Sequence, residues 1–439
     1  MSRGRRRKLF ARLEWSRGPV GEPPVAELQP WTETCPQDRT SASQSPTGRL
    51  ILGDNLAVMS ALLPEFEGRI DLIYADPPFL SGKAYSARLG RGEDSRRPAE
   101  WHTAEGFSDA WQDGADYLNM LYPRLQVMHR LLATTGTLYL HLDWHASAYA
   151  RLLLDEVFGP ERLLNEVVWA YHGPSPTRSA FVRKHDTILV YTKSSHYRFN
   201  ADAVRVAYDP STVKTFASSS RAGFGKVPDL ARGKVPEDWW YFPVVARLHK
   251  ERTGFPTQKP EAMLERIVLA SSRPGDWVAD FFCGSGTTPA VASRLGRRWL
   301  ACDRSPLAVQ TTYRRMLLQA DPPSFSTCHT APEGLWTSLQ PSIVVTNQKG
   351  YVEVELTGLA GADSDGPAFP ENLSLWEIDW DFDGRLFRSR SQAVRPWRAA
   401  DVPLALGHTY TRPGSHSLCV RAADERGRSG DVTRTLRIR

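Results

Sequence analysis

The chain has 439 residues, 41% hydrophobic and 24% charged with a net charge of +6, which is ordinary for a soluble globular protein. This length predicts two or three domains; no apolar run approaches the roughly 18 residues of a membrane span, and the basic N-terminus lacks the apolar segment of a secretory signal. The five scattered cysteines form no C-x-x-C pair, which indicates a reducing cytosol and argues against a zinc site.

Residues 1–48 are predicted to form a basic arm followed by a linker. Residues 1–18 hold seven Lys/Arg and one acid, and residues 19–47 are rich in Pro, Ser, Thr and Glu. We interpret the arm as a solvated tail, with an arm lying on nucleic-acid phosphates or an organellar transit peptide as alternatives.

Alternating strands and helices begin near Leu50. Strands are predicted at 50–52, 70–75, 137–142, 163–170 and 187–192, and helices at 56–63, 117–132 and 149–158. Strand 70–75 ends in Asp76-Pro77-Pro78-Phe79, a stiff turn because two prolines fix φ and remove backbone donors. A carboxylate and a flat ring thus follow a buried strand, at the edge where open α/β sheets bind ligands.

Two long segments interrupt this alternation. Residues 81–106 are too long for an ordinary connection and are predicted to be functional or disordered. Residues 171–260 carry 15 Lys/Arg against 7 Asp/Glu, a net charge of +8, and the part up to 252 interleaves these cations with aromatic residues. Cations bind phosphates and rings stack on bases, so we predict a nucleic-acid surface that includes Arg178, Arg183 and Lys184. The alternative is an insertion with its own small core.

The alternation resumes at Pro256, with helices at 261–271, 289–295 and 306–319 and strands at 277–280 and 298–301. Between strand and helix lies Asp280-x-x-x-Gly284-x-Gly286, whose glycines allow close backbone approach to a ligand bound at a helix N-terminus. Asp303 ends the next strand, about 20 residues on, where an acid typically binds ribose hydroxyls. The spacing predicts an adenosine-containing ligand, and the absence of Lys after Gly286 excludes a P-loop.

Beyond about residue 321 the pattern becomes all-β, with strands predicted at 342–347, 352–357, 373–379, 417–422 and 433–437. Residues 378–384, 408–410, 413–414 and 420–427 resemble an immunoglobulin-like PKD domain. Residues 331–439 carry 13 Lys/Arg against 14 Asp/Glu, which favours an interaction or dimer module over primary DNA binding. Asp381 and Asp383 are interpreted as turn acids rather than calcium ligands.

The acidic turn, Gln258-Lys259-Pro260, the glycine loop and Asp303 together resemble S-adenosylmethionine-dependent amino DNA methyltransferases of the circularly permuted β class. The resemblance covers roughly residues 50–320. It implies an α/β Rossmann-like fold with a mostly parallel seven-stranded sheet, followed here by a small all-β sandwich. The implied domains are the arm and linker (1–48), the catalytic domain (49–170 and 253–322), a target-recognition insertion (171–252) and the sandwich (330–439).

The resemblance also implies residue roles. Asp76 and the Pro77 carbonyl accept hydrogen bonds from the target amine, Pro78 stiffens their turn, and Phe79 stacks on the extruded base. The implied cofactor-binding residues are Asp54, Asn55, Gln258, Lys259, Pro260, Asp280, Phe281, Gly284, Gly286, Thr287 and Asp303. No metal ligand is implied; His141 and Asp143 are predicted to line the crevice, and the second Asp-Pro-Pro, at 321–323, is predicted not to be catalytic because it follows a helix.

An exocyclic amine is a poor nucleophile because its lone pair is conjugated into the ring. Two acceptors favour a pyramidal nitrogen that attacks the sulfonium methyl directly, and the base must leave the duplex to reach them. Ring-carbon methylation is excluded because the chain has no Pro-Cys dipeptide. Adenine N6 is favoured because cytosine-N4 relatives more often place Ser at the position of Asp76; cytosine N4 stays open.

Two other classes are weighed: an inactive methyltransferase-fold DNA-binding protein, and an RNA or protein amino methyltransferase. The intact acids and glycines argue against the first, and the basic insertion argues against the second. Double-stranded DNA in the bacterial cytoplasm is the expected partner, with no membrane. A homodimer and a cognate restriction endonuclease are left open.

Overall fold

The protein is described by a computed structural model covering residues 11, 13–18, 24–36, 46–90, 101–174, 177–218, 229–246, 249–330, 338–361, 368–397 and 401–439. Most of the predicted basic arm lies outside these ranges. Within them, no helix is long and apolar enough to cross a membrane.

The described residues form both β-strands and α-helices. The strands are β1 (Gln29–Thr34), β2 (Gly48–Leu52), β3 (Ile70–Ala75), β4 (Ala84–Gly90), β5 (Trp101–Ser108), β6 (Leu132–Leu142), β7 (Leu163–Ala170), β8 (His185–Thr192), β9 (Trp239–Tyr241), β10 (Trp277–Asp280), β11 (Arg298–Asp303), β12 (Phe325–His329), β13 (Gln340–Gln348), β14 (Tyr351–Ala360), β15 (Leu373–Asp379), β16 (Phe387–Ser389), β17 (Ser391–Val394), β18 (Ala405–Thr409), β19 (Gly414–Asp424) and β20 (Ser429–Ile438). The α-helices are α1 (Asn55–Phe66), α2 (Gly114–Leu131), α3 (Ser147–Val157), α4 (Pro210–Ser218), α5 (Glu261–Ser271), α6 (Thr287–Arg294) and α7 (Pro306–Leu317).

One mixed sheet of eleven strands organises the described chain, in the order β16-β1-β12-β2-β11-β10-β3-β6-β8-β7-β9. The run from β12 to β6 is parallel, β8 is antiparallel to β6 and β7, and β1 is antiparallel to β12. The expected count of seven strands is therefore corrected to eleven among the described residues, in a mixed sheet whose pairings are mostly parallel. The β7–β8 hairpin and the short strands β1, β9 and β16 pair with its edges and make the sheet wider and mixed.

The central strands are buried on both faces by helices. In β3, Ile73 and Ala75 pack in a core that includes residues of α1, α2 and α3, whereas Leu72 and Tyr74 pack in a second core with α5, α6 and α7. Because both faces are covered, such strands are nearly continuous apolar runs, which is why this part of the chain was predictable.

Two regions without that signal also form strands. The predicted linker contains β1, in which only Thr32 and Thr34 are buried. Its sequence is therefore polar and gives no sign that the strand pairs with β12. The long segment after the acidic turn contains the antiparallel pair β4 and β5, which forms a sheet of its own. These three strands, β1, β4 and β5, depend on pairing rather than on a hydrophobic pattern.

The C-terminal strands form two sheets, β13-β14-β18 and β17-β15-β19-β20, around a core that contains Trp376 and Trp380. This sandwich is joined to the eleven-stranded sheet through β16, which pairs with β1. Buried polar contacts add to the junction, because the Tyr313 hydroxyl of α7 donates to Glu377 at 2.7 Å and Arg421 donates to the Thr32 hydroxyl at 2.6 Å.

Candidate active site

A cleft opens at the carboxyl ends of β3, β10 and β11. Asp76 directly follows β3, while Asp280 and Asp303 are the last residues of β10 and β11. Parallel neighbours end at the same edge of a sheet, so three acids distant in sequence line one cleft, with about 1200 Å³ of empty space including its open mouth.

Most sequence-predicted site residues line this cleft: Asp54, Asn55, Asp76, Pro77, Pro78, Phe79, Gln258, Lys259, Asp280, Phe281, Gly284, Thr287 and Asp303. Pro260 and Gly286 do not line it; they stand at the N-caps of α5 and α6. Arg178, Arg183 and Lys184 lie outside it, in the loop between β7 and β8.

The Asp76 carboxylate has two unlike oxygens. Its Oδ2 accepts a hydrogen bond from the Lys259 ammonium, which also lies 5.3 Å from the centroid of the Phe79 ring. Its Oδ1 is buried and has no hydrogen-bond partner among the described residues. A buried acceptor without a donor is costly, so Oδ1 is ready to accept from a ligand in the cleft. Lys259, expected on the cofactor side, places its ammonium at the acidic turn.

The sequence did not identify Asp109, which shapes the backbone after the acidic turn. Its buried carboxylate accepts from the backbone N–H groups of Phe79 (3.1 Å), Leu80 (2.9 Å) and Ser81 (2.8 Å) and from Trp111 Nε1 (2.8 Å). Leu80 has a φ of +66°, which is unfavourable for a side chain with a Cβ. Asp109 therefore holds a strained turn in one conformation. No local motif marks it.

Behind Phe79 lies a buried polar network. The His141 ring stacks on Phe79 with centroids 5.8 Å apart, and its nitrogens contact the Tyr74 hydroxyl at 2.7 Å and Asp186 at 3.3 Å. The Tyr171 hydroxyl donates to the other oxygen of Asp186 at 3.1 Å. His141 was predicted to line the crevice, but it is fully buried and supports the Phe79 ring from behind.

The Asp303 carboxylate connects the two loops at the ends of β10 and β11. Its oxygens accept from the backbone N–H groups of Gly284 and Ser305, each at 2.9 Å. Burial raises the pKa of Asp303, and these two hydrogen bonds oppose that rise. Asp303 thereby positions the glycine loop at the cleft wall.

Asp280 also places a buried carboxylate at the cleft. It accepts from the Thr288 hydroxyl at 2.6 Å and from the Phe282 backbone N–H at 3.0 Å. Burial raises its pKa to about 7, despite both hydrogen bonds. Near neutral pH this carboxyl is thus balanced between its neutral and ionised forms.

Two arginines missed by the sequence analysis hold residues on the side of the cleft where the cofactor is predicted to bind, called here the cofactor half. Arg124 of α2 donates to Asp54 at 2.7 Å and to the Asn55 side-chain oxygen at 2.5 Å, and burial lowers its pKa. Arg315 of α7 is buried and donates to the Thr287 hydroxyl at 2.9 Å. Each lies on an amphipathic helix, where a charged residue is ordinary, so nothing in the sequence indicates that either arginine contacts residues of the cleft.

A DNA methylase family, N6_N4_Mtase, matches residues 70–314. DNA adenine methyltransferase YhdJ of Escherichia coli (strain K12) is 30% identical over 271 residues, covering 61% of this chain and 82% of that protein. Type II methyltransferase M.BglII of Bacillus subtilis is 30% identical over 275 residues, covering 60% and 68%.

Among solved structures, PvuII DNA methyltransferase (cytosine-N4-specific) aligns with a TM-score of 0.41 and 16% identity, over 64% of this chain and 91% of that chain. The family match ends within α7, before the C-terminal sandwich begins.

Proposed function

The chain belongs to the DNA methylase family N6_N4_Mtase, and we infer that it methylates adenine N6 in double-stranded DNA. It is an S-adenosylmethionine-dependent DNA methyltransferase, of the class that acts on adenine N6 or cytosine N4. The proposal includes rotation of the target base out of the duplex and membership of the permuted β class. The Oδ1 of Asp76, which is buried and has no partner in the described part of the chain, carries it. The name of the adenine methyltransferase YhdJ supports the choice of base.

The acidic turn would act on the target amine. Asp76 Oδ1 and the Pro77 carbonyl accept its two N–H bonds, so its lone pair is released from conjugation with the ring. The Phe79 ring, supported by His141, stacks on the base and replaces the stacking that the base had in the duplex. S-adenosylmethionine would supply an electrophilic methyl group on a sulfonium. Direct transfer of that methyl to the amine would release the thioether S-adenosylhomocysteine and one amine proton, which Asp76 would accept, with no covalent enzyme intermediate.

The cofactor half fits a cationic adenosine ligand. Gly284 and Gly286 have φ of +48° and +73°, so the loop brings backbone rather than side chains to the cleft wall. Asp280 would balance positive charge, and Asp303 would bind ribose hydroxyls. Asp54, Asn55 and Phe281 would flank the ligand, with Gln258, Lys259, Pro260 and Thr287 closing the site.

Incubating the protein with methyl-labelled S-adenosylmethionine and duplex DNA tests the proposed function. After digestion to nucleosides, the label should elute with N6-methyladenine. Label in N4-methylcytosine would replace the proposed base, and label only in RNA or protein would overturn the DNA assignment.

Cofactor affinity should rise with pH until about pH 7 and then level off. Below that pH Asp280 is increasingly neutral, since burial holds its pKa at about 7, whereas a cationic ligand favours the ionised carboxylate. Binding therefore releases protons in this range. Calorimetry of S-adenosylmethionine binding between pH 5.5 and 8.5 would show the rise, and Asp280→Asn should flatten it. A wild-type affinity independent of pH would contradict this role.

Reversing the charges of Arg183 and Lys184 to Glu should weaken DNA binding and reduce its salt dependence. Removing one cation from a phosphate lowers the slope of log K against log salt by about 1. The matched control reverses Arg434 and Arg437, two exposed residues of β20 in the C-terminal sandwich. Fluorescence anisotropy at several salt concentrations measures the effect, and equal slopes for both double variants would refute the assignment.

A further inference from the structure

The loop between β7 and β8 projects from the edge of the sheet that holds the cleft. The β7–β8 ladder ends with Ala170 opposite His185, and the Tyr171 N–H donates to the Lys184 carbonyl at 3.0 Å just beyond it. Because β8 is antiparallel to β6, its first residues lie beside the carboxyl end of β6. The described loop residues, 172–174 and 177–184, therefore extend beyond the edge where the acidic turn also lies.

The base of this loop is anchored beside the acidic turn. The Arg183 guanidinium lies 4.0 Å from the ring centroid of Trp144, which follows β6 by two residues. Three residues earlier, His141 stacks on Phe79. Three residues of extended chain span at most about 10 Å, so the Trp144 backbone lies near that of His141, and the Arg183 guanidinium packs on a residue adjacent to the support of the Phe79 ring.

The loop combines positive charge with one fully exposed ring. Residues 171–185 include Arg178, Arg183 and Lys184 and no acid. The Phe181 side chain is 100% exposed. An aromatic ring left in water between cations suits a ligand that is both anionic and aromatic, and duplex DNA has both properties.

We propose that Phe181 enters the duplex beside the target base and fills the space that the flipped base leaves. This inference rests on the proposed function and deepens it. Flipping costs unpairing and unstacking, and apolar side chains inserted between base steps offset such costs by stacking on the neighbouring bases. Phe181 is thus a positioning residue that stabilises the extruded state; it does not touch the reacting amine.

Phe181→Ala tests the proposal on the target site mapped from DNA methylated by the wild type. Binding to the matched duplex should weaken by about 10- to 100-fold, the effect of losing one base–aromatic stack. A mismatch opposite the target base lowers the unpairing cost for both proteins, so it should restore the extruded fraction in the variant complex towards that of the wild type. Phe181→Trp should bind like the wild type. With 2-aminopurine at the target position, Phe181→Ala should show a smaller fluorescence increase on binding.

Phe199→Ala is the matched control. Phe199 is 41% exposed and lies at the opposite edge, where the Arg198 N–H donates to the Thr135 carbonyl near the start of β6. This variant should bind both duplexes like the wild type.

The remaining outcomes separate the inference from the proposed function. A wild type that methylates no DNA would refute the proposed function. An active wild type with an unaffected Phe181→Ala variant would refute insertion alone. A 2-aminopurine signal of the Phe181→Ala complex that the mismatch does not restore, or a changed oligomeric state, would also overturn insertion. The changed oligomeric state would make the loop a subunit interface.

Discussion

Replacing Asp76 with alanine should reduce turnover by about 100- to 1,000-fold while leaving S-adenosylmethionine affinity largely unchanged. The variant loses a buried carboxylate oxygen that has no donor among the described residues, and a preorganised acceptor for the reacting group typically contributes that much. The cofactor half is held by Asp303, Arg124 and Arg315, none of which depends on Asp76. Single-turnover methylation and calorimetric cofactor titration measure the two effects separately.

Two further variants serve as controls for Asp76→Ala. Asp76→Ala also leaves the buried Lys259 ammonium without its carboxylate, which is a source of misfolding. Asp76→Asn keeps the side-chain volume and one oxygen, so it distinguishes a catalytic loss from a folding defect. Asp321→Ala is the control, because Asp321 repeats the Asp-Pro-Pro letters before β12 and so lies at the opposite edge of the sheet. Retained turnover in both Asp76 variants would refute the catalytic assignment.

The second large effect is expected at Gly286, where alanine should weaken S-adenosylmethionine binding by at least about tenfold. Gly286 has a φ of +73°, and an added Cβ would lie 2.6 Å from Thr312 Oγ1 and 3.0 Å from its Cα. The loop must shift to relieve this clash, and strain of that kind costs about 1–3 kcal/mol, where 1.4 kcal/mol is one factor of ten. Equilibrium binding of the cofactor measures the loss directly.

The chain provides a matched control for this substitution. Gly296 has the same φ of +73°, but an added Cβ there would meet only Pro274 Cβ, at 3.9 Å. Gly296→Ala therefore introduces the same backbone strain without the steric clash and outside the cofactor loop. If both alanine variants bound the cofactor equally, the weakened binding would reflect general strain rather than the shape of the loop.

Sequence reasoning was most successful where buried strands meet loops of unusual composition. The apolar run before Asp76 and the glycine loop after Asp280 are local patterns, and the structure places both at one edge of the sheet. It was least successful where strands form by pairing alone. Strand β1 and the β4–β5 pair carry no hydrophobic alternation strong enough to stand out, so a linker and an irregular loop were predicted instead.

The sequence by itself determined the chemistry that the chain can offer. Prolines, glycines and acids restrict or free the backbone within a few residues, so the stiff acidic turn and the glycine loop can be recognised from short stretches of sequence. Only the tertiary structure decided how these stretches are completed. It showed that Lys259 occupies one oxygen of Asp76 and leaves the other without a partner, that Asp109 holds the turn, and that His141 supports Phe79. Such contacts join residues tens to hundreds of positions apart, and burial and hydrogen bonding between them depend on strand order, which no local pattern encodes.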